Sequence, residues 1–471
     1  MEKSVFIEKI KSFIKKEHLF DPQSSYLAAV SGGADSVVML RAMLEIGIKC
    51  EAAHCNFHLR GDESNRDEKF VTDMCRQLGV KLHKVDFDVA EYEQSHHVST
   101  EMACRDLRYD WFASIAQSHN LSGVIVAHHC DDNIETLFLN ILRGTGITGL
   151  AGMQPISHNR IDVLRPLLCV SRADIEAYAA EIGQPYIIDS TNRENIVKRN
   201  RLRNVILPML CEQFPDAASG ILHTINNMRE CNKLYNHDID ILRKRYIDTS
   251  ASPMIRIELH QFIGSYIADG SAATLVFELL KPYGFNAAQT ADIVEALSAD
   301  RAASSSGQAF CSSQYEAALS RGSLYIMPKR DAQEENFEYE VSLSESVTHP
   351  AAISVEHITG TVFSAKDIDG KTVACFSPDI LKTDLKLRHW REGDRFSPFG
   401  MKGTRLVSDI FSDMKLSTIE KRLVWILTAN GKIVWILGLR TASLYKVAPS
   451  STDYLRLTFI APTQQSQDSA L

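Results

Sequence analysis

The chain has 471 residues, too many for one compact core, so two or three domains are expected. Its composition, 45% hydrophobic and 23% charged, is that of a globular protein, and no apolar run approaches the roughly 20 residues that span a bilayer. A formal charge of −8 argues against a protein that coats nucleic acid non-specifically, while leaving room for a local basic face.

Met1 to Lys16 alternates Lys and Glu with apolar residues. That pattern predicts an amphipathic helix rather than a signal peptide, and hence a cytoplasmic protein with no membrane partner. Tyr26 to Val30 reads as a short buried strand that breaks at Ser31-Gly32-Gly33, after which Val37, Leu40 and Leu44 share one helical face. Ile48 to Ala53 predicts a second strand, Glu63 to Leu78 a helix closed by Gly79, and Val80 to Phe87 a third strand. Thr100 to His119 is helical, with Ser99 or Thr100 as N-cap. Gly123 to Ala127 is a fourth strand, followed by a helix from about Asp132 to Leu142. Ser171-Arg172-Ala173-Asp174 opens a further helix in the manner of a capping box. Strands alternating with helices predict an α/β fold, a parallel Rossmann-like sheet covered on both faces.

Phe214-Pro215 reads as the end of this unit, placing a first domain at 1–214. Ala217 to Tyr246 predicts a long amphipathic helix, Pro253 to Ser298 more helix, and Gln308 to Met327 strands. Together these form a helical connector and middle domain over 215–330. Asp331 to Val347 holds six carboxylates and no basic residue, so 331–350 reads as an acidic linker. Short strands return from about Ser354, Lys432 to Leu437 being the clearest, in a smaller α+β C-terminal domain over 351–462; 463–471 reads as a disordered polar tail. Leu385 to Ala448 carries twelve Lys/Arg against five Asp/Glu, which fits a polyanionic partner or a solvated charged surface. The ten cysteines include no CxxC pair, and several fall in apolar or helical contexts as small hydrophobes.

The segment Ser31-Gly32-Gly33-Ala34-Asp35-Ser36 lies between a strand and a helix. Two glycines allow a tight turn with backbone N–H groups close to an anion, and the positive end of the helix points to the same place. Ser31 and Ser36 can donate hydroxyl hydrogen bonds to phosphate, and Asp35 can hold the Mg²⁺ that accompanies a nucleotide. No lysine occupies the phosphate-contacting place, so this is not the GxxxxGK[ST] loop. SGGxDS resembles the pyrophosphate loop (PP-loop) of the ATP pyrophosphatase superfamily, and that resemblance implies ATP cleaved between its α and β phosphates to form an adenylate.

Further blocks follow: His54-Cys-Asn-Phe-His-Leu-Arg60; Arg105-Asp-Leu-Arg-Tyr109; Ala127-His-His-Cys-Asp-Asp-Asn-Ile-Glu-Thr136 with Arg143-Gly-Thr-Gly; Arg165-Pro-Leu-Leu168 with Ser171-Arg172; and Asp189-Ser-Thr-Asn192 with Arg199-Asn200 and Arg203. In this order and spacing they resemble the tRNA(Ile)-lysidine synthetase family, densely over Tyr26 to Leu210 and again near the C-terminus. The resemblance implies ATP-dependent attachment of L-lysine to the wobble cytidine of tRNA(Ile) with a CAU anticodon, releasing AMP and pyrophosphate.

Asp132 and Glu135 lie three apart at a helix start and face one side. Two carboxylates beyond a strand tip suit a small cation, and the resemblance implies that the cation is lysine; stabilisation of the helix N-terminus would also explain them. One of them could deprotonate the ε-amine, whose ordinary pKa of about 10.4 leaves it protonated. Arg105 and Arg108 share a helical face, suited to phosphate oxygens, RNA backbone or solvated salt bridges. Arg105 joins Asp35, Asp132 and Glu135 as a candidate catalytic residue. Arg199 and Arg203 lie in the basic run Lys198 to Arg203, in line with an RNA-facing edge. Arg388, Arg391 and Arg395, interleaved with Trp390, Phe396 and Phe399, resemble the family's C-terminal domain. They suit either a tRNA grip with stacked bases or an aromatic core under a charged surface. The chain departs from the family pattern around Val407 to Leu427, where Trp425 stands in a stretch expected to be less bulky. The alternatives are a tRNA thiolase of the same superfamily, against which the missing CxxC speaks, and a non-catalytic tRNA-binding protein, against which the intact loop speaks. A homodimer is a possible state.

Overall fold

The computed structural model describes residues 3–158, 160–188, 198–249, 254–259, 263–298, 309–320, 323–329, 337–364, 368–401, 403–414, 416 and 418–460. The chain forms two compact units, Met1–Asn236 and His237–Leu471.

In the first unit the apolar runs become β1 (Tyr26–Ala29), β2 (Cys50–Asn56), β3 (Leu82–Asp86) and β4 (Val124–Ile125), joined by β5 (Ile156–His158) and β6 (Asp162–Leu164). The sheet order is β3-β2-β1-β4-β6-β5, parallel except for the β5–β6 pair. β1 therefore has β2 on one side and β4 on the other, and the crossovers diverge at its C-terminal end. In open α/β sheets such a switch point leaves a crevice.

Helices α1 (Lys3–Glu17), α2 (Ala34–Ile46), α3 (Asp62–Leu78), α4 (Val89–His96), α5 (Thr100–His119), α6 (Cys130–Arg143), α7 (Ile147–Leu150) and α8 (Arg172–Glu181) surround the sheet. Alternation along β1 divides its side chains between two cores. Tyr26 and Ala28 pack with Phe6, Leu40 and Tyr178 from α1, α2 and α8. Leu27 faces the other way, with Phe112 of α5 and Val124. Phe6 stacks on Tyr178 at 4.4 Å between ring centroids; each such fully buried side chain contributes about 1.5–3 kcal/mol. Ser99 caps α5, and Ser171 exchanges hydrogen bonds with Asp174 at the start of α8, both as the sequence predicts. The sequence pattern does not disclose α4, which is short and polar; Asp88 caps it by accepting from the Glu91 N–H.

α9 (Lys198–Arg201) passes through a wide turn over Leu202–Ile206 into α10 (Leu207–Gln213). Pro208 has no N–H to give to the carbonyl four residues back, and its ring crowds that carbonyl. The helix widens instead, with Leu207 N–H bonding to Leu202 O. α11 (Ala217–Tyr246) follows. Arg229 donates to Met153 O at 2.8 Å and Thr148 to Asn232 at 3.1 Å, so the first unit extends past the boundary expected at Phe214.

In the second unit the expected helices, α12 (Ile263–Ala268), α13 (Ala272–Leu280) and α14 (Ala287–Ser298), accompany a five-stranded sheet whose first two strands, Ile247–Asp248 and Ile255–Ile257, are too short for periodicity to disclose. The C-terminal part is strand-rich, with Trp435, Phe376 and Leu457 at its centre. Residues 337–350 are not a linker: Tyr339–Glu340 pairs with Leu387 and Lys386 as an edge strand. Glu338 meets Arg391 at 2.9 Å and Lys386 at 3.5 Å, so its charge answers the basic strand beside it. Residues 331–336 and the tail 463–471 lie outside the described residues. Trp425 begins a strand and rests on His389 at 3.8 Å, with Tyr339 edge-on at 5.8 Å, so its bulk closes a seam between neighbouring strands.

Candidate active site

The switch-point crevice is a cleft of about 340 Å³ lined by Ser31, Gly33, Asp35 and Ser36 on one side and by Arg105, His128 and Asp132 on others. The loop between β1 and α2 needs the first of its two glycines. Gly32 has φ +96°, and a Cβ there would lie 3.0 Å from Ile187 Cδ1, while Gly32 O accepts from the Ile187 N–H at 2.9 Å. His54 reaches from β2 to Val30 O at 2.8 Å, tying the strand tip immediately before the loop. Ser36 does not present a free hydroxyl. It accepts from the Ser31 N–H at 3.1 Å and donates to Gly33 O at 3.0 Å, so it stitches the loop, and the backbone of α2's first turn is left as the anion donor.

Asp35 lies one residue inside α2. Its Oδ2 accepts from Arg172 Nη1 at 2.6 Å, while Oδ1 is buried without a hydrogen-bond partner. Burial raises its pKa, against the pull of His129 and Arg172. His129 is 3% exposed and lies between carboxylates, with Asp131 at 3.3 Å, Asp132 at 3.4 Å and Asp35 at 3.8 Å. Burial would lower its pKa, but the three carboxylates outweigh that and raise it. His128 next to it is pushed down to about 4 by burial, with Arg165 and Arg199 adding to the effect, so it is neutral at pH 7; its Nδ1 is buried without a partner.

Asp132 and Glu135 share one face of α6, and Glu135 is 1% exposed. Arg199 and Arg203, four apart on one helical face, each span both carboxylates. Arg199 Nε meets Glu135 at 2.6 Å and its Nη2 meets Asp132 at 2.9 Å. Arg203 repeats this at 2.6 and 2.8 Å. Burial opposes ionisation of Asp132, but His129, Arg199 and the His129 N–H hold its pKa below the ordinary value. The arginines expected on an RNA-facing edge are thus at the site, on the carboxylates expected to hold lysine. On the facing wall, Arg105 is exposed over the Tyr109 ring, 5.3 Å to its centroid.

Residues 2–210 match the model of a PP-loop domain, 269–329 that of a TilS substrate binding domain, and 385–457 that of a TilS substrate C-terminal domain. A tRNA(Ile)-lysidine synthase of Bacteroides thetaiotaomicron is 37% identical over 441 residues, 93% of this chain and 96% of its own. Another, of Parabacteroides distasonis, is 36% identical over 96% of this chain and 100% of its own. The chain belongs to the tRNA(Ile)-lysidine synthase family. Among solved structures, a U34-tRNA thiolase from Methanococcus maripaludis is 16% identical over 48% of this chain and 80% of its own, with a TM-score of 0.40.

Within this family frame, the loop, Asp35, Arg105, Asp132, Glu135, Arg199 and Arg203 all fall in the first unit. The block Asp189 to Asn192 lies outside the described residues. The C-terminal candidates separate by burial. Arg388 is 7% exposed and bidentate on Asp394 at 2.8 Å twice, so its guanidinium is committed inside the fold and not to RNA. Arg391 is partly exposed on Glu338, and Arg395 is exposed. Phe396 is buried and Trp390 packs edge-on to Phe411, leaving Phe399, 50% exposed, as the open aromatic of the three. Sequence reasoning gave no role to His128, His129 or Arg172. The two histidines stand beside Asp131 and Asp132 in the sequence, but their burial, and the contacts of His129 and Arg172 with Asp35, are not carried by a linear pattern. Among the described residues, no helix is long and apolar enough to cross a membrane.

Proposed function

We propose that the chain is an ATP-dependent ligase that joins L-lysine to C2 of the wobble cytidine in tRNA(Ile) with a CAU anticodon. The observation that carries this reading is the cleft at the sheet's switch point, which sets the N-terminus of α2 opposite the buried Asp132, with the buried Glu135 one helical turn further along α6. Its volume is in the range of nucleotide-sized sites. The names of the curated relatives support the choice of substrate.

On this reading the ATP phosphates rest on the backbone N–H groups of the loop from Gly32 to Ser36. The cytidine C2 oxygen attacks the α-phosphorus, forming a C2–O–P link as the bond to the leaving pyrophosphate breaks. The lysine ε-nitrogen then bonds to C2, and AMP leaves with the former C2 oxygen. Loop backbone and Arg105 would stabilise charge on the phosphates. Asp35 Oδ1, buried and unpartnered, fits an Mg²⁺ ligand; the ion would neutralise charge on the phosphates. Asp132 and Glu135 would hold the lysine ammonium, with Arg199 and Arg203 as their counter-ions before it arrives. His128, neutral and lining the cleft, is the better acceptor for the ε-amine proton, because the cationic neighbours of Asp132 hold its pKa below the ordinary carboxylate value and so make it the weaker base. Arg391 and Arg395 would contact tRNA. The enzyme would act in the cytoplasm, where it could pair as a homodimer.

The test is AMP release from ATP with lysine and tRNA(Ile) each added or omitted, alongside labelled lysine. Release needing both, with label in the tRNA, is expected. Release with tRNA but no incorporation of label would mean that the nucleophile is wrong and would favour the thiolase alternative.

A further inference from the structure

At the opposite end of the sheet from the cleft, Glu51, His83 and His119 converge from three elements. Glu51 is near the start of β2, His83 near the start of the edge strand β3, and His119 is the last residue of α5. One ligand atom from each lies within 4.8 Å of the others. His83 Nε2 is 2.6 Å from Glu51 Oε2, His119 Nδ1 is 3.9 Å from the same oxygen, and the two imidazole rings lie 4.5 Å apart between centroids. The His83 side chain is 11% exposed and Glu51 26%, so the group is recessed, with His119 at 35% on its open side.

We propose that Glu51, His83 and His119 form a binding site for a divalent transition metal of the zinc type. Two imidazole nitrogens and one carboxylate oxygen suit Zn²⁺ or Ni²⁺, whereas Mg²⁺ prefers oxygen ligands, so this site is separate from the ion that accompanies ATP. Ligands at the usual 2.0–2.1 Å from a tetrahedral ion stand about 3.3 Å apart. To reach that spacing the His83–Glu51 pair would open by about 0.7 Å and His119 would close on Glu51 by about 0.6 Å.

Lys81 sets the competition. Its Nζ lies 3.2 Å from Glu51 Oε2 and 3.0 Å from His119 Nδ1, where it supplies the positive charge that a metal would bring. Its side chain is 52% exposed, so it can swing into solvent when a metal binds. A bound ion would tie the C-terminal end of α5 to the edge of the sheet. Arg105 lies fourteen residues before His119 on the same helix, about 21 Å away. The site therefore anchors the helix that carries Arg105 without touching the reaction.

The test uses the full chain, stripped with a chelator and titrated with Zn²⁺ against a chromophoric competitor, with excess Mg²⁺ present. Saturable binding is expected for the wild type. His83→Ala and His119→Gln should each weaken it at least tenfold, and Lys81→Met should tighten it several-fold. Unfolding of the metal-free variants near the wild-type temperature shows that a loss is not misfolding; should one variant fold poorly, Lys81→Met and Glu51→Gln still decide. Zn²⁺ should raise the wild-type unfolding temperature and leave that of His83→Ala unmoved. No saturable binding, or an affinity in His83→Ala within twofold of wild type, would overturn the proposal.

Discussion

Arg172 Nη1 lies 2.6 Å from Asp35 Oδ2, while the other oxygen of the same carboxylate is buried with no hydrogen-bond partner. One half of the carboxylate is anchored, and the other lies 3.8 Å from His129 Nε2, beyond hydrogen-bond reach. Burial raises the Asp35 pKa, so its ionised form is costly to the fold. Asp35→Asn should abolish AMP release yet unfold at a higher temperature than wild type at pH 7. The sign follows from linkage: a raised folded pKa gives stability that is present at low pH and lost as pH rises through it. The advantage of the variant should therefore be full at neutral pH and shrink toward the unfolded carboxyl pKa of about 3.9. Thermal melts across pH 4.5 to 7.5 measure this, and a variant less stable at pH 7 would refute it.

Glu135 is the most buried member of the two-carboxylate, two-guanidinium cluster. Glu135→Gln should raise the KM for lysine at least tenfold with the KM for ATP little changed. Glu135→Ala should also cost about 2–3 kcal/mol in denaturant unfolding. That is below the 3–5 kcal/mol of a fully buried broken pair, since the arginine side chains are 36% and 38% exposed. An unchanged lysine KM would return Glu135 to a purely structural role.

His128 separates the two chemical steps. His128→Ala should slow lysine transfer by about 10²-fold while pyrophosphate release persists. Because its pKa is pushed down to about 4, the residue stays neutral from pH 5.5 upward and contributes no inflection to the rate there. Equal losses in both steps, read by quench-flow with labelled ATP and lysine, would remove it from proton transfer.

Gly32→Ala should weaken ATP binding and cost about 1–3 kcal/mol, since φ +96° is strained for alanine and the new methyl meets Ile187. Nucleotide titration and urea unfolding of the variant check the two effects separately.

The basic C-terminal residues should part company. Arg388→Ala strips the largely buried Asp394 of its guanidinium partner, leaving it the Arg391 N–H, and should destabilise by about 3 kcal/mol. Arg395→Ala should leave unfolding unchanged and raise the KM for tRNA several-fold. If Arg395→Ala moved stability instead, its exposure would be the wrong guide.

Legibility in the sequence followed the range of the interaction. The loop Ser31 to Ser36 was readable because a tight anion-binding turn restricts residue type at successive positions, and α11 because thirty residues carry one amphipathic period. The β5–β6 hairpin has three residues per strand, too few for a period to register. The contacts of Arg199 and Arg203 with Asp132 and Glu135 bridge more than sixty residues, and nothing local marks them. The basic run looked like an RNA edge because charge is visible in a sequence and its partner is not. Trp425 looked out of place until the strands that seat it against His389 and Tyr339 were assembled.

The wide turn at Leu202–Ile206 gives the helix a phase as well as a shape. It accommodates one more residue than a regular turn, so the two ends of the run are kept in step only by the length of that segment. Removing a single residue there would restore an ordinary helix with its phase intact, whereas closing the turn at constant length, as Pro208→Ala would allow, would rotate everything upstream by about 100° relative to α10. Arg199 would then turn away from the carboxylates without any change to its own identity. The position of a charge at this site is thus encoded partly in the pitch of the helix that carries it, and a change at Pro208, which bears no charge, can silence it as completely as a substitution of Arg199.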